Sequence, residues 1–239
     1  MKTIHSFVKI PNKKAAFGLL CGLVYSGLSA QAGLIHLSNP ADLGTSSVLN
    51  WGSGPLWTEA ANNTAFSNGG VTVNATQSAG NSLWVNSQSP KAGDNDGIYW
   101  EGNFFPLDSV LYNGVTGFGQ PQLGDISLHF QNPVLGAGVH VQQNWSGAPG
   151  FTGFIWAYDI NNVLLDSYSF AGIAGNSADG TAVFAGFLST SANISTITIS
   201  TASQDFAIGA LSVNIPDSGS TAALLGSAVA GLWLLRKHK

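Results

Sequence analysis

The 239-residue chain has one cysteine, one methionine and few charges, with Asp, Glu, Lys and Arg making up only 8 % of it. A lone cysteine cannot form an intrachain disulfide. Cys21 lies within an apolar stretch near the N-terminus, so no thiol remains after it. Basic residues are scarcer still in the middle of the chain, where Lys91 stands alone between residues 33 and 214. Eleven acids share that span and give it a net charge of −10, which the −4 of the whole chain conceals. Such a body has nothing with which to neutralise phosphates or hold an anionic membrane surface, and nucleic-acid binding is excluded. His36, His129 and His140 are its only histidines and lack the close spacing of a zinc site. No Gly-x-Ser-x-Gly precedes a helical pattern, which removes the usual signature of a nucleophile triad.

What is present begins with two addresses. Lys2, Lys9, Lys13 and Lys14 precede an apolar stretch from Ala15 to Ser29, and Ala30-Gln31-Ala32 offers a small-x-small cleavage site before Gly33. Residues 1–32 read as a secretory signal peptide, which makes the secretion translocon a partner. At the other end, Ile215-Pro216-Asp217-Ser218-Gly219 leads into an apolar run from Ala222 to Leu235 and a basic stop of Arg236, Lys237 and Lys239. As a helix that run measures roughly 21 Å against about 30 Å of hydrocarbon, a short membrane span. The basic cluster holds its far end in the cytoplasm and leaves residues before Pro216 outside.

This motif, apolar span and basic tail over 215–239 resemble the C-terminal sorting signal of the PEP-CTERM class, in particular its VPDSG-CTERM variant, with Ile215 in place of the usual Val. The resemblance implies an exosortase-like membrane transpeptidase as partner. That enzyme would recognise the motif and release or re-anchor the protein at the cell surface.

The body between, residues 33–214, is long enough for one core. Asp125-Ile-Ser-Leu-His-Phe130 alternates apolar and polar residues, the period of a half-buried strand, with His129 on the polar face. Further strands are expected at Val48–Trp51, Gly70–Ala75, Ser82–Val85, Ala137–Gln143, Gly153–Tyr158, Val163–Phe170, Thr181–Leu188, Ile194–Ser200 and Phe206–Val213. Asp159-Ile-Asn-Asn162 and Ser177-Ala-Asp-Gly180 supply turns, and Pro133 belongs at a strand end or edge. The expectation is an all-β chain, a two-sheet jelly-roll-like β-sandwich of about ten strands, flanked by an N-terminal signal helix and a C-terminal transmembrane helix.

Residues 94–213 also resemble the sandwich domains that often precede this kind of sorting signal, through Asp96-Gly-Ile-Tyr-Trp-Glu-Gly-Asn103, Asn132-Pro-Val-Leu-Gly-Ala-Gly138 and Asp205-Phe-Ala-Ile-Gly209. Those domains are similar in shape to carbohydrate-binding modules and lectins, which implies sugar binding. The resemblance makes extracellular polysaccharide a partner. Sugars stack their C–H faces on aromatic rings while amides fix their hydroxyls. Trp145, among amides in Gln142-Gln-Asn-Trp145, and Trp100, between Tyr99 and Glu101, are the candidate contacts, with core packing the default for each. Trp156, in an apolar strand, is assigned to the core.

Asp94 and Asp96 in Gly93-Asp-Asn-Asp-Gly97, together with Glu101, hint at calcium, but an EF-hand register would put Ala92 and Asn103 at the anchoring positions. A solvated turn is the default, and no other cofactor is expected. Only Glu59 and Glu101 are glutamates, and a hydrolytic carboxylate pair with Asp108 has no geometric support in the sequence. The expected protein is a non-enzymatic one at the cell surface that binds or organises polysaccharide. A purely structural coat component is the alternative, and a glycan-acting hydrolase ranks third.

Overall fold

Alternation sorts this chain into an inside and an outside. In the segment Ile126–Val134, Ile126 and Leu128 are fully buried and Phe130 nearly so, while Ser127, His129 and Gln131 turn outward. Each such inward side chain contributes about 1.5–3 kcal/mol, enough to pin the register of the strand. The computed structural model describes residues 33–52, 57–93, 98–114, 124–144 and 150–216. The expected signal helix and transmembrane helix lie outside the described residues, among which no helix is long and apolar enough to cross a membrane.

Fourteen strands occur among the described residues. The first seven are β1 (Ile35–Leu37), β2 (Ser47–Leu49), β3 (Thr58–Ala60), β4 (Thr64–Asn68), β5 (Val71–Gln77), β6 (Leu83–Ser87) and β7 (Ser109–Tyr112). Then come β8 (Ile126–Val134), β9 (Gly136–Gln143), β10 (Gly150–Tyr158), β11 (Leu164–Ile173), β12 (Val183–Leu188), β13 (Ile194–Thr201) and β14 (Phe206–Asn214). They form two antiparallel sheets. One runs β1-β12-β9-β14-β7-β6-β3, with β2 also paired to β14, and the other runs β11-β10-β13-β8-β5-β4. One buried cluster draws on both, joining Val73, Leu128, Ile155 and Ile197 of the second sheet to Val139, Phe187, Ile208 and Leu211 of the first. Two sheets sharing one apolar layer is the arrangement of a β-sandwich. Tyr168 of β11 bridges them, its phenol meeting Leu37 O at 2.9 Å and Gly186 O at 3.2 Å while Gly186 N–H donates to it at 2.9 Å.

The expected strands of the later chain all form. Four others were not foreseen. β1 and β3 span only three residues each, too few for a period to register, and β4 is a half-exposed edge strand. β7 is buried at every residue because Leu111 faces the main core while Val110 and Tyr112 face a second cluster with Trp100 and Phe104, so it shows no alternation at all. A 3-10 turn at Pro40–Leu43 also went unforeseen, although Asn39 caps it through Oδ1 to Ala41 N–H at 3.0 Å with proline at the first turn.

The local turn chemistry follows the sequence. Asp159 Oδ1 accepts from Asn161 N–H at 2.9 Å and Val163 N–H at 2.8 Å, with Asn162 at φ 60°, closing β10 onto β11. Pro133 lies near the end of β8, in the irregular stretch between the Thr196–His129 and Ile194–Val134 pairs, where no ladder donor is required.

Candidate functional site

Two places in the fold bear on function: the end of β14 and the solvent side of the six-stranded sheet. β14 is central to its sheet, paired with β9 along one edge and with β7 and β2 along the other. Its last residue is clamped, since Asn214 Nδ2 donates to Leu43 O at 2.8 Å, and Ser46 N–H donates to Val213 O at 2.9 Å. The next residue, Ile215, donates its N–H to Ser46 Oγ at 2.9 Å and packs against the main core, and Pro216 is exposed. The body's hold on the chain therefore extends past the strand at least to Ile215. Asp217, Ser218, Gly219, Arg236, Lys237 and Lys239, and at the other end Ala30 and Ala32, lie outside the described residues.

The tryptophans are distributed otherwise than the sequence implied. Trp100, a candidate sugar contact, is 3 % exposed and packs on Tyr112 at 5.0 Å and Trp57 at 6.3 Å. A ring so covered has no face to offer a ligand. Trp145, Asp94 and Asp96 lie outside the described residues, and Glu101 is half-buried beside Trp100. Among the described residues no three His, Cys, Asp or Glu side chains gather as a metal site.

Trp156, expected in the core, stands instead on the solvent side. The inward positions of β10 are Phe151, Gly153, Ile155 and Ala157, all buried, while Phe154, Trp156 and Tyr158 are half-buried and alternate with them. Phe-Ile-Trp-Ala-Tyr is apolar at every position, so polarity carried no phase. Packing supplies it. A Cβ on Gly153 would lie 2.3 Å from the Phe170 ring, so directly opposite Phe170 the inside of β10 admits only glycine, while Phe151 and Ile155 fill the core on either side.

The three outward rings sit at steps of two residues, about 6.6–6.8 Å along the strand. Phe154 and Trp156 have centroids 6.0 Å apart and planes within 23° of parallel. Their neighbours across the sheet are hydroxyls. Trp156 stands between Ser167 and Thr198, and Phe154 between Ser169 and Ser200. Further out, Ser127 Oγ meets Thr198 Oγ1 at 2.9 Å, and His129 bridges Thr76 Oγ1 and Thr196 Oγ1, each at 3.1 Å. An open depression of about 290 Å³ lies beside His129, lined by Thr72, Asn74, Phe130 and Gln131. Desolvation holds the His129 imidazole below its ordinary range, so it is neutral at pH 7. Within the six strands only Asp166 carries a formal charge; it is paired opposite the inward Ala157 and meets His36 Nε2 at 3.0 Å. Apart from Asp125, one residue before β8 and in outward phase with Ser127, the outward face is electrically neutral, aromatic along one strand and hydroxylic across the others.

Residues 215–239 match the family model of the VPDSG-CTERM motif. This chain carries that sorting signal. The VPDSG-CTERM motif starts at Ile215, the residue bonded to Ser46, and it implies an exported or surface protein with an exosortase-type membrane enzyme as partner. No curated protein matches the chain in sequence. Among solved structures it is similar to the K1 cleaved adhesin domain of Lys-gingipain from Porphyromonas gingivalis W83, at 10 % identity over 67 % of this chain and 99 % of that one. The TM-score of 0.28 is too low to equate the two folds.

Proposed function

We propose that the protein is secreted through the translocon, processed at its VPDSG-CTERM signal by an exosortase-type enzyme and delivered to the cell surface. There its non-catalytic β-rich body, residues 33–214, binds or organises extracellular polysaccharide. The observation that carries the reading is the motif match at 215–239, whose first residue the body holds through Ser46. The single lysine among eleven acids between 33 and 214 supports an extracellular surface solvated by neutral polar groups rather than one built for anionic partners. Calcium at Asp94, Asp96 and Glu101 belongs to the same proposal as an optional ligand of a surface loop.

A second reading, a coat component that assembles without a small ligand, is favoured by β11. This ten-residue edge strand holds no lysine or proline, and Leu164 and Ile173 at its ends are 47 % and 67 % exposed. Unblocked edges of that kind pair with other strands. Mass spectrometry of the protein from its own cells tests the delivery route. An N-terminus at Gly33 and a C-terminus between Pro216 and Gly219 are expected. Surface-located protein ending at Lys239 would refute processing. Binding to a glycan array separates the polysaccharide role from the coat role.

A further inference from the structure

We propose that the outward face of the six-stranded sheet is the docking platform for an uncharged polysaccharide chain lying along β10, stacked on Phe154, Trp156 and Tyr158. This rests on the polysaccharide role proposed above and gives that role a place and a ligand class.

Three observations converge on it. First, the rings are half-exposed at three consecutive outward positions of one strand, where the neighbouring strands β5, β8 and β13 place Ser, Thr, Asn and His. Leaving three large rings partly in water forgoes burial worth about 1.5–3 kcal/mol for a full side chain, so the packing of this domain alone does not call for them. Phe154 and Trp156, near-parallel and 6.0 Å apart, set two aromatic groups at a step comparable to one sugar unit of an extended chain.

Second, the hydroxyls around them are ordered but not saturated. Ser127 and Thr198 bond each other, yet each hydroxyl has one proton and two lone pairs, which leaves acceptors for sugar hydroxyls beside Trp156. In the row of Tyr158, His129 lies two strands across and Asn74 three, and the depression they line, with the amide of Gln131 also at its rim, is within reach of a substituent on the chain.

Third, charge selects among polymers. The face has no positive charge and one carboxylate, Asp125, at its edge, and the body around it carries −10, so uronic-acid polymers and other polyanions are repelled while an uncharged chain is not. A basic peptide would find only Asp125 at the edge of this face, too little charge to hold it. A second copy of the chain would meet three rings in a field of hydroxyls rather than the apolar centre of a homodimer interface.

Affinity electrophoresis of the full chain in mild detergent tests the assignment, with hydroxyethylcellulose, galactomannan or dextran in the gel and alginate as the polyanionic control. At least one uncharged polymer is expected to retard the protein and alginate is not. Trp156→Ala should weaken the retarding interaction at least about tenfold, Trp156→Phe less, and Val48→Ala on the other sheet not at all. Thermal melts confirm folding. Should Trp156→Ala unfold, Thr198→Arg, which adds bulk and charge without removing a ring, must give the same loss. Retardation that survives both variants in folded protein removes the site and leaves the polysaccharide role standing. Absence of retardation by every uncharged polymer removes both. Retardation by alginate that depends on Trp156 overturns the ligand class. A concentration-dependent dimer dissolved by Trp156→Ala makes the face an interface between copies and overturns the proposal.

Discussion

Asn113 offers a sharp test of how this fold is held. It is 1 % exposed, and its side chain serves three segments. Nδ2 donates to Gly124 O at 2.6 Å and Gln204 O at 2.7 Å, while Oδ1 accepts from Phe206 N–H at 3.0 Å. Asn113→Leu keeps the volume but supplies neither donor nor acceptor. Gln204 is exposed, so water replaces the lost partner there, whereas Gly124 and Phe206 are buried and keep an unpaired carbonyl and amide. Two such orphans cost about 1–3 kcal/mol each, so the loss is about 2–6 kcal/mol out of a total that is about 5–15 kcal/mol for most domains. With an m-value of about 2 kcal/mol/M, the urea midpoint should fall by at least about 1 M at unchanged m. Asn113→Asp retains the acceptor for Phe206 but turns a carboxylate towards two carbonyls, and should be destabilised as well. A midpoint for Asn113→Leu within about 0.3 M of the parent would falsify the reasoning, because the two buried groups would then have found other partners.

Other consequences follow from the same geometry. Gly186 faces Gly138 across β12 and β9, and an added Cβ would lie 2.7 Å from Ala137 O and 2.8 Å from Gly138 Cα. Because those are backbone atoms, Gly186→Ala should cost about 1–3 kcal/mol by calorimetry, and an unchanged melting temperature would contradict the close approach. Desolvation lowers the pKa of both His129 and His140, the nearby Asp108 partly offsetting it for His140. Their folded values lie below the unfolded value of about 6.5, so the stability they contribute is complete above that pH and declines as pH falls below it. Asp108 is raised by desolvation, so its contribution has the opposite sign and returns as its carboxyl is protonated at lower pH. Replacing both histidines by glutamine should flatten the stability curve between about pH 6.5 and 5; a slope that stays put would remove them as its source. Ser46→Ala with Asn214→Ala deletes the clamps on the sorting tail. Hydrogen exchange at the backbone amides of residues 214 and 215 should quicken by about tenfold or more while the core is unaffected, and unchanged exchange there would show that Ile215 packing alone holds this end of the strand.

The sequence was most legible where meaning is linear. A sorting signal is read as a string by another protein, so Ile215–Gly219, an apolar span and a basic stop carry their message without a fold, and the family match falls on those residues. Strands with one wet face were equally plain, since β8 and β5 print their burial as alternation. Turn residues such as Asp159 and Asn162 act through their own backbone, and they too were readable.

Tertiary structure alone decided which tryptophan meets water. Trp100 sits among polar and glycine neighbours in sequence yet is buried by Trp57, Tyr112 and Phe104, which arrive from other segments. Trp156 sits in an unbroken apolar run yet faces out, because this phase sets Gly153 opposite Phe170 of the paired strand, where no larger side chain fits. β7, wedged between two apolar clusters, lost its period for the same reason. Composition states how apolar a segment is. The phase of a strand whose every residue is apolar is set by the volume left on each side, and that volume belongs to residues far away in the chain.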